Sequence, residues 1–359
     1  MLTCLLIAAA ATFAGVADSP AEPKGNPIFP PDARLELLFT RRATLNSGLT
    51  EGPATAPDGT VYFTDMPFGT ADQTMIHRFD PHTKQVTLFT DRAGKSNGLA
   101  FDAAGRLLCC EGADGGGRCV TRWDVVTGEK AIVADKFHDK RLNSPNDLCV
   151  DRVGRVYFTD PRYAGDEPRE LQQQAVYRVE RDGSVVEVTH DVEMPNGIVL
   201  SPDEKTLYVG DHNNGGNQRS PNDPPPQRGA MKLYAFPLNE EGLVAGPART
   251  LADFGKENGC DGIAVDAKGN LYVTCRSLAR PGIMVLDPHG TQLAFLPTGP
   301  AGQQGGFEEW QGIPSNVEFS APNEMIADSY LYVTIDKGLY RIPIMQRGPQ
   351  PVWAVHEKQ

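Results

Sequence analysis

The chain has 359 residues and a formal net charge of −12, with 46 acidic side chains against 34 basic ones. That balance excludes a phosphate backbone as principal partner, because nucleic acid is held by cationic side chains that release its counterions. The 37 glycines and 29 prolines suit a turn-dense chain, and the length is compatible with one large all-β domain.

The first element is an apolar run from Leu2 to about Val16. It is too short for a membrane span, which takes about 20 apolar residues. With the small residues Gly15 and Ala17 behind it, and despite lacking a basic start, it reads as a signal peptide. Residues 1–17 are therefore expected to be removed on export to a periplasmic or extracellular space, with no membrane contact afterwards. Residues 18–33 read as a linker and residues 34–359 as one domain. Within it, "RLELLFT" (34–40) reads as a strand that returns to close a ring.

From Glu51 onward one outline recurs. "EGPATAPDGTVYF" from Glu51, "NGLAFDAAGRLLC" from Asn97, "NDLCVDRVGRVYF" from Asn146 and "NGIVLSPDEKTLYV" from Asn196 are copies of it. "DGIAVDAKGNLYV" from Asp261 and, less regularly, "NVEFSAPNEMIADSYLYV" from Asn316 complete the set. Each copy places a polar residue, an apolar stretch, a turn and a second strand, the latter starting at Val61, Leu107, Val156, Leu207, Leu271 and Leu331. A hairpin follows each of the first five, as in "AVYRVERDGSVVEVT" (175–189) and "GIMVLDPHGTQLAFL" (282–296). Self-similarity at a period of roughly 40–50 residues, with strands in every unit, predicts a propeller. Six copies of four antiparallel strands predict six blades.

The cysteines form no C-x-x-C pair, so zinc is not expected. Cys260 and Cys275 fall on consecutive strands of one hairpin and should face each other, as buried thiols rather than as a disulfide, whose cross-strand geometry is demanding.

The polar residues that open the six copies carry the functional reading. Asn-Gly and Asp-Gly commonly make turns, but six Glu, Asp or Asn at one register, without a Lys, Arg or His, require another account. In a propeller the innermost strands line the central channel, so Glu51, Asn97, Asn146, Asn196, Asp261 and Asn316 should converge there. Carboxylates buried together must be protonated, paired or metal-bound. Two carboxylates with amide oxygens suit a hard divalent cation, and calcium better than magnesium or zinc. Such an ion can polarise a carbonyl, and a neighbouring carboxylate can take a proton from attacking water. No G-x-S-x-G elbow supports a serine nucleophile, and His138 and His212 border the expected channel mouth but read as surface or loop residues.

"LTEGPATAPDGTVYFTD", "LNSPNDLCVDRVGRVYFTDPRY", "MPNGIVLSPDEKTLYVGD" and "CDGIAVDAKGNLYVTC" resemble the gluconolactonase family, which includes senescence marker protein and luciferin-regenerating enzyme. It is more distantly similar to paraoxonases and diisopropyl-fluorophosphatases. The likeness runs from about residue 34 to 343. It implies a six-bladed propeller with one calcium ion in its channel, hydrolysing a sugar lactone. By that resemblance Glu51, Asn196 and Asp261 correspond to metal ligands, and Asn146 to an amide touching metal or substrate. Asp261 stands where proton transfer is placed. Asn97, Asn146 and Asn316 are the expected substrate contacts. The long segment after Asn316 and the loop 211–230 depart from the pattern and bear on substrate choice. Two alternatives stay open: a phosphotriesterase- or arylesterase-like hydrolase on the same metal, and a non-catalytic ligand-binding propeller with structural calcium. The partner is expected to be a small lactone, and the oligomeric state is left open.

The strand directions also locate the mouth. Loops after second strands (66–74, 161–174, 211–230) and loops leading into inner strands (136–145, 298–314) should crowd one end, with turns such as 266–269 at the other. Long loops on a rigid scaffold are where binding resides, so the mouth is expected at the long-loop end, with Asn97 and Asn316 lining its wall and 211–230 as its rim or lid.

Overall fold

The computed structural model describes residues 28–41, 48–67, 74–215, 227–299, 312–321 and 329–355. The expected signal peptide, the middle of the 211–230 loop and parts of the 66–74 and 298–314 loops lie outside them. The chain folds as six four-stranded antiparallel sheets arranged as the blades of a propeller, as the repeat predicts. The innermost strands are Leu49–Thr55, Ser96–Phe101, Leu148–Val150, Pro195–Leu200, Cys260–Val265 and Pro314–Phe319. The second strands are Val61–Met66, Leu107–Glu111, Val156–Asp160, Thr206–His212, Leu271–Cys275 and Tyr330–Ile335, each within one residue of its expected start.

Alternating apolar side chains on these strands pack on both neighbouring blades. Leu108 and Cys110 of blade two meet Phe158 and Tyr177 of blade three, and Tyr272 and Ile283 of blade five meet Val317 and Leu331 of blade six. Fully burying one such side chain contributes about 1.5–3 kcal/mol. A second strand therefore has no solvent face, and all five residues of Val156–Asp160 and of Leu271–Cys275 are buried. Exposed residues concentrate on outermost strands such as Lys130–Ala134.

The ring closes through the N-terminus. Glu36–Thr40 pairs with Gly338–Pro343 as the fourth strand of blade six, with Glu36 opposite Arg341. Arg341 Nε donates to Glu36 Oε2 at 2.7 Å, and Arg41 forms a buried ion pair with Asp65 of blade one. Packing begins before the expected boundary at residue 34: Ile28 and Phe29 lie in the core between blades five and six. Cys260 and Cys275 are register partners and both are free buried thiols. Among the described residues the one helix, Val352–Val355, lies in a tail that crosses the turn end of the channel and sets Trp353 against the core of blades one and two. Among the described residues no helix is long and apolar enough to cross a membrane.

Candidate active site

A repeated irregularity aims the channel side chains. The ladder between first and second strands slips between Glu51 and Ala54, Ser96 and Leu99, Pro195 and Ile198, and Cys260 and Ile263. In blades two, four and five the slip takes in the polar residue and the residue after it; in blade one Glu51 is still opposite Thr64 and the slip takes in Gly52 and Pro53. A bulge of this kind bends the strand and re-aims a side chain. In blade three the regular ladder starts only at Leu148, leaving Asn146 and Asp147 in the same situation. Threonines of the second strands hold the slipped backbone: Thr159 Oγ1 accepts from Asp147 N and Thr274 Oγ1 from Asp261 N, both at 3.1 Å.

The bulge creates two slots. Glu51, Asn97, Asn146, Asn196 and Asp261 occupy the first. The second is the place of close approach between blades, filled by Gly52, Gly98, Asp147, Gly197 and Gly262. A β-carbon on Gly98 would lie 2.7 Å from Asp147 Cα, and one on Gly262 2.7 Å from Asn316 Cα. None of Gly98, Gly197 and Gly262 has a positive φ. These glycines therefore serve contact between blades, not turns.

Blade six departs from this pattern. Its slip lies between Pro314 and Asn316, and Asn316 is already opposite Thr334. The residue in the first slot is Ser315, whose hydroxyl donates to Thr50 O at 2.6 Å. Asn316 stands in the second slot. Shifting by one residue turns a strand side chain to the other side, so Asn316 does not line the mouth as expected. Its Nδ2 donates to Asp147 Oδ2 at 3.4 Å, and both residues line a separate cavity of about 220 Å³ at the turn end, bordered by Glu318 and Trp353.

The five first-slot residues of blades one to five line a single cavity of about 280 Å³ at the long-loop end. Buried carboxylates at the second-strand ends tether the loops that lead into it. Asp160 accepts from Asn143 N and Ser144 N at 2.8 and 2.7 Å, and Asp211 from Glu193 N and Met194 N at 2.8 and 2.9 Å.

Electrostatically the cavity is tense. Glu51 is 2% exposed. Burial, and next the charge of Asp261, hold its carboxyl well above the usual range, with Arg276 opposing. Burial also raises Asp261, and the Arg276 guanidinium, paired with its Oδ2, opposes that shift. Asn196 Nδ2 donates to the Tyr163 hydroxyl at 3.2 Å. Tyr163 in turn donates to Met194 O at 3.2 Å. The amide is thereby oriented, and its oxygen is left for a ligand. Asn146 Oδ1 is buried and has no hydrogen-bond partner among the described residues, a condition rare without an ion or water to satisfy it.

A divalent oxygen-seeking cation fits this donor set. It would relieve the Glu51–Asp261 repulsion and give the orphaned Asn146 oxygen a partner. The set contains only two carboxylates, and among the described residues no group of three or more His, Cys, Asp or Glu forms a metal cluster; the remaining donors are amide oxygens.

Three cavity residues escape the sequence reading. His212, expected at the surface, is buried, and its Nδ1 lies 3.1 Å from Cys260 O. Burial, reinforced by Arg276, pushes its pKa down to about 3, so it is neutral. Tyr163 closes the "DPRY" motif, which was legible without its role. Arg276 follows the Leu271–Cys275 strand, whereas the other second strands end on or beside an acid: Asp65, Glu111, Asp160, Asp211 and Asp336. That lone change of sign was the available signal.

Residues 49–300, well over half of the chain and including every residue of this cavity, match the family described as SMP-30/Gluconolactonase/LRE-like region. The gluconolactonase of Zymomonas mobilis is 31% identical over 232 residues, 61% of this chain and 59% of that enzyme. The chain thus spans under two thirds of that relative's length. The pentonolactonase XacC of Haloferax volcanii is 25% identical over 241 residues, 66% of this chain and 69% of its own. Among solved structures, a gluconolactonase from Xanthomonas campestris has a TM-score of 0.69 at 27% identity, with 91% of this chain and 96% of that one covered. A calcium-binding protein, regucalcin, from Agrobacterium tumefaciens shares the fold at 19% identity, with a TM-score of 0.61 and coverage of 87% and 96%. The chain belongs to the SMP-30/gluconolactonase/LRE-like family.

Proposed function

We propose that the protein is a calcium-dependent lactonase that opens a sugar lactone by water attack. The observation that carries this reading is the convergence of Glu51, Asn97, Asn146, Asn196 and Asp261 on one cavity, in a chain of a family that contains gluconolactonases. Glu51, Asn196 and Asp261 would hold the ion, with Asn146 ligating or one water away. When bound, calcium supplies Lewis-acid polarisation of the lactone carbonyl and stabilises negative charge on its oxygen.

The protein's own groups supply the rest. Burial raises the Asp261 carboxyl and Arg276 opposes that shift, which favours the ionised form, the one able to accept the proton of the attacking water. Asn97 and Asn146 present amides to the lactone hydroxyls, and neutral His212 offers an imidazole nitrogen as acceptor. Tyr163 fixes Asn196 and so the ligand geometry. Export through residues 1–17 belongs to the same proposal.

The test is acid release from D-glucono-δ-lactone and a panel of other lactones, with chelator and with calcium restored. Turnover lost on chelation and recovered with calcium is the expected result. No release above the spontaneous rate on any lactone overturns the reading, and phosphotriester or aryl-ester turnover alone would replace it.

A further inference from the structure

We propose that this cavity selects lactones carrying a second, anionic group, a carboxylate or a phosphate ester, and that Arg276 is the side chain that reads it. The inference rests on the lactonase reading above and adds the substrate class.

Arg276 stands one residue beyond Cys275, the register position that Asp65, Glu111 and Asp211 hold in blades one, two and four, and so lines the cavity beside Met66, Gly112 and His212, which occupy its own position in those blades. Its side chain is 15% exposed, lines the cavity, and pairs with Asp261 through Nη1. Among the described residues Nε and Nη2 make no hydrogen bond. Those donors belong to a planar fork whose geometry matches carboxylate and phosphate oxygens.

The pairing of Arg276 with Asp261 does not use up its charge once a divalent cation is bound. Glu51 and Asp261 carry two negative charges, which a divalent cation balances alone. Of the remaining charged groups on the wall, Lys95 lies 3.6 Å from Asp114 and that pair cancels. Arg276 is then one positive charge in surplus beside a dication, within a partly desolvated cavity where like charges repel strongly. An anion brought by the substrate completes the balance. A neutral sugar lactone leaves it incomplete.

The experiment compares kcat/KM at low ionic strength for three substrates: neutral D-glucono-δ-lactone, the carboxylate-bearing D-glucaro-γ-lactone, and the phosphate ester of D-glucono-δ-lactone. One charge-assisted contact predicts a preference of about tenfold or more for at least one anionic lactone, seen mainly in KM. The two charged arms separate carboxylate from phosphate recognition. The preference should shrink as salt is raised, should collapse in Arg276→Gln, and should return in part in Arg276→Lys. The wild-type preference needs no variant, so an unfolded Arg276→Gln leaves the proposal open to refutation. Hydrolysis of the neutral lactone with no preference for either charged one overturns this inference alone. Preference surviving in folded Arg276→Gln does the same. No hydrolysis in any arm overturns the lactonase reading with it.

Discussion

Gly197→Ala adds a single methyl group and tests how the site is positioned. The β-carbon would stand 2.9 Å from Gly262 Cα and closer still to the Asp261 carbonyl oxygen. Both obstacles are backbone, so no rotamer change relieves them. Restoring ordinary contact requires the inner strands of blades four and five to part by roughly 1 Å, and overpacking of this kind costs about 1–3 kcal/mol. Asn196 and Asp261 flank the contact, so the same displacement separates two of the proposed ligands. A misplacement of about 1 Å at reacting groups can cost about a hundredfold in rate. The control is Gly154→Ala, in the turn before Val156–Asp160. Gly154 has φ +88° and open space around its Cβ position, so the substitution strains the backbone by about 1 kcal/mol without touching the channel. Thermal unfolding, calcium titration and proton-release kinetics are measured on both. Gly197→Ala should lose a few degrees of Tm together with calcium affinity and turnover, and Gly154→Ala should lose Tm alone. Wild-type turnover in Gly197→Ala would refute the claim that blade contact sets the site.

Asp261→Asn should lower kcat by about a hundredfold or more, the range for removing a positioned general base, while calcium titration shows part of the affinity kept; near-normal kcat would move the base elsewhere. Tyr163→Phe removes the partner of Asn196 and should weaken calcium binding by about tenfold or more, as lost support of a ligand does, and unchanged affinity would mean that Asn196 needs no such support. Burial pulls Asp147 up to about 7 from 3.8, and a carboxyl raised on folding stabilises the native state in full below its unfolded pKa. Chelated protein should therefore lose stability progressively from about pH 4 to about pH 7, by up to about 4 kcal/mol from this group, read as a falling Tm, and Asp147→Asn should flatten that slope; a parallel slope in the variant would assign it to other groups.

The repeat was legible because each blade spells its second strand and the turn before it with nearly the same residues, and β patterning survives drift as long as apolar positions alternate. Ring closure was legible for the same reason, since 34–40 has strand character and no partner nearby in the chain. The channel ring was legible as chemistry. Its register in blade six was not. Asn316 resembles the other opening residues by type and by its apolar successors, but a bulge inserts a residue that no periodicity announces. The proline at 314, two residues before Asn316 rather than directly before it as at Asn146 and Asn196, was the mark of the slip. Arg276 and His212 were missed because a single basic or imidazole side chain at a strand end has no pattern of its own. Only the sheet brings it to the channel.

The two slots also explain why fold and site can vary apart. A first-slot side chain projects into the cavity and makes few scaffold contacts, so Glu, Asp and Asn interchange there as the chemistry requires. The second slot is where blades touch, and it takes glycine unless the residue there has somewhere else to go. Asp147 and Asn316 show this condition directly. Each lies against the glycine of the preceding blade, each turns toward the opposite cavity, and they bond one another across the channel. Their burial is affordable only as a pair: Asp147 without Asn316 would be a buried carboxylate with less to hold it. The channel therefore carries two polar assemblies back to back. The one at the long-loop end is open and suited to a ligand, and the one at the turn end is lidded by the C-terminal tail and joins blades three and six across the axis.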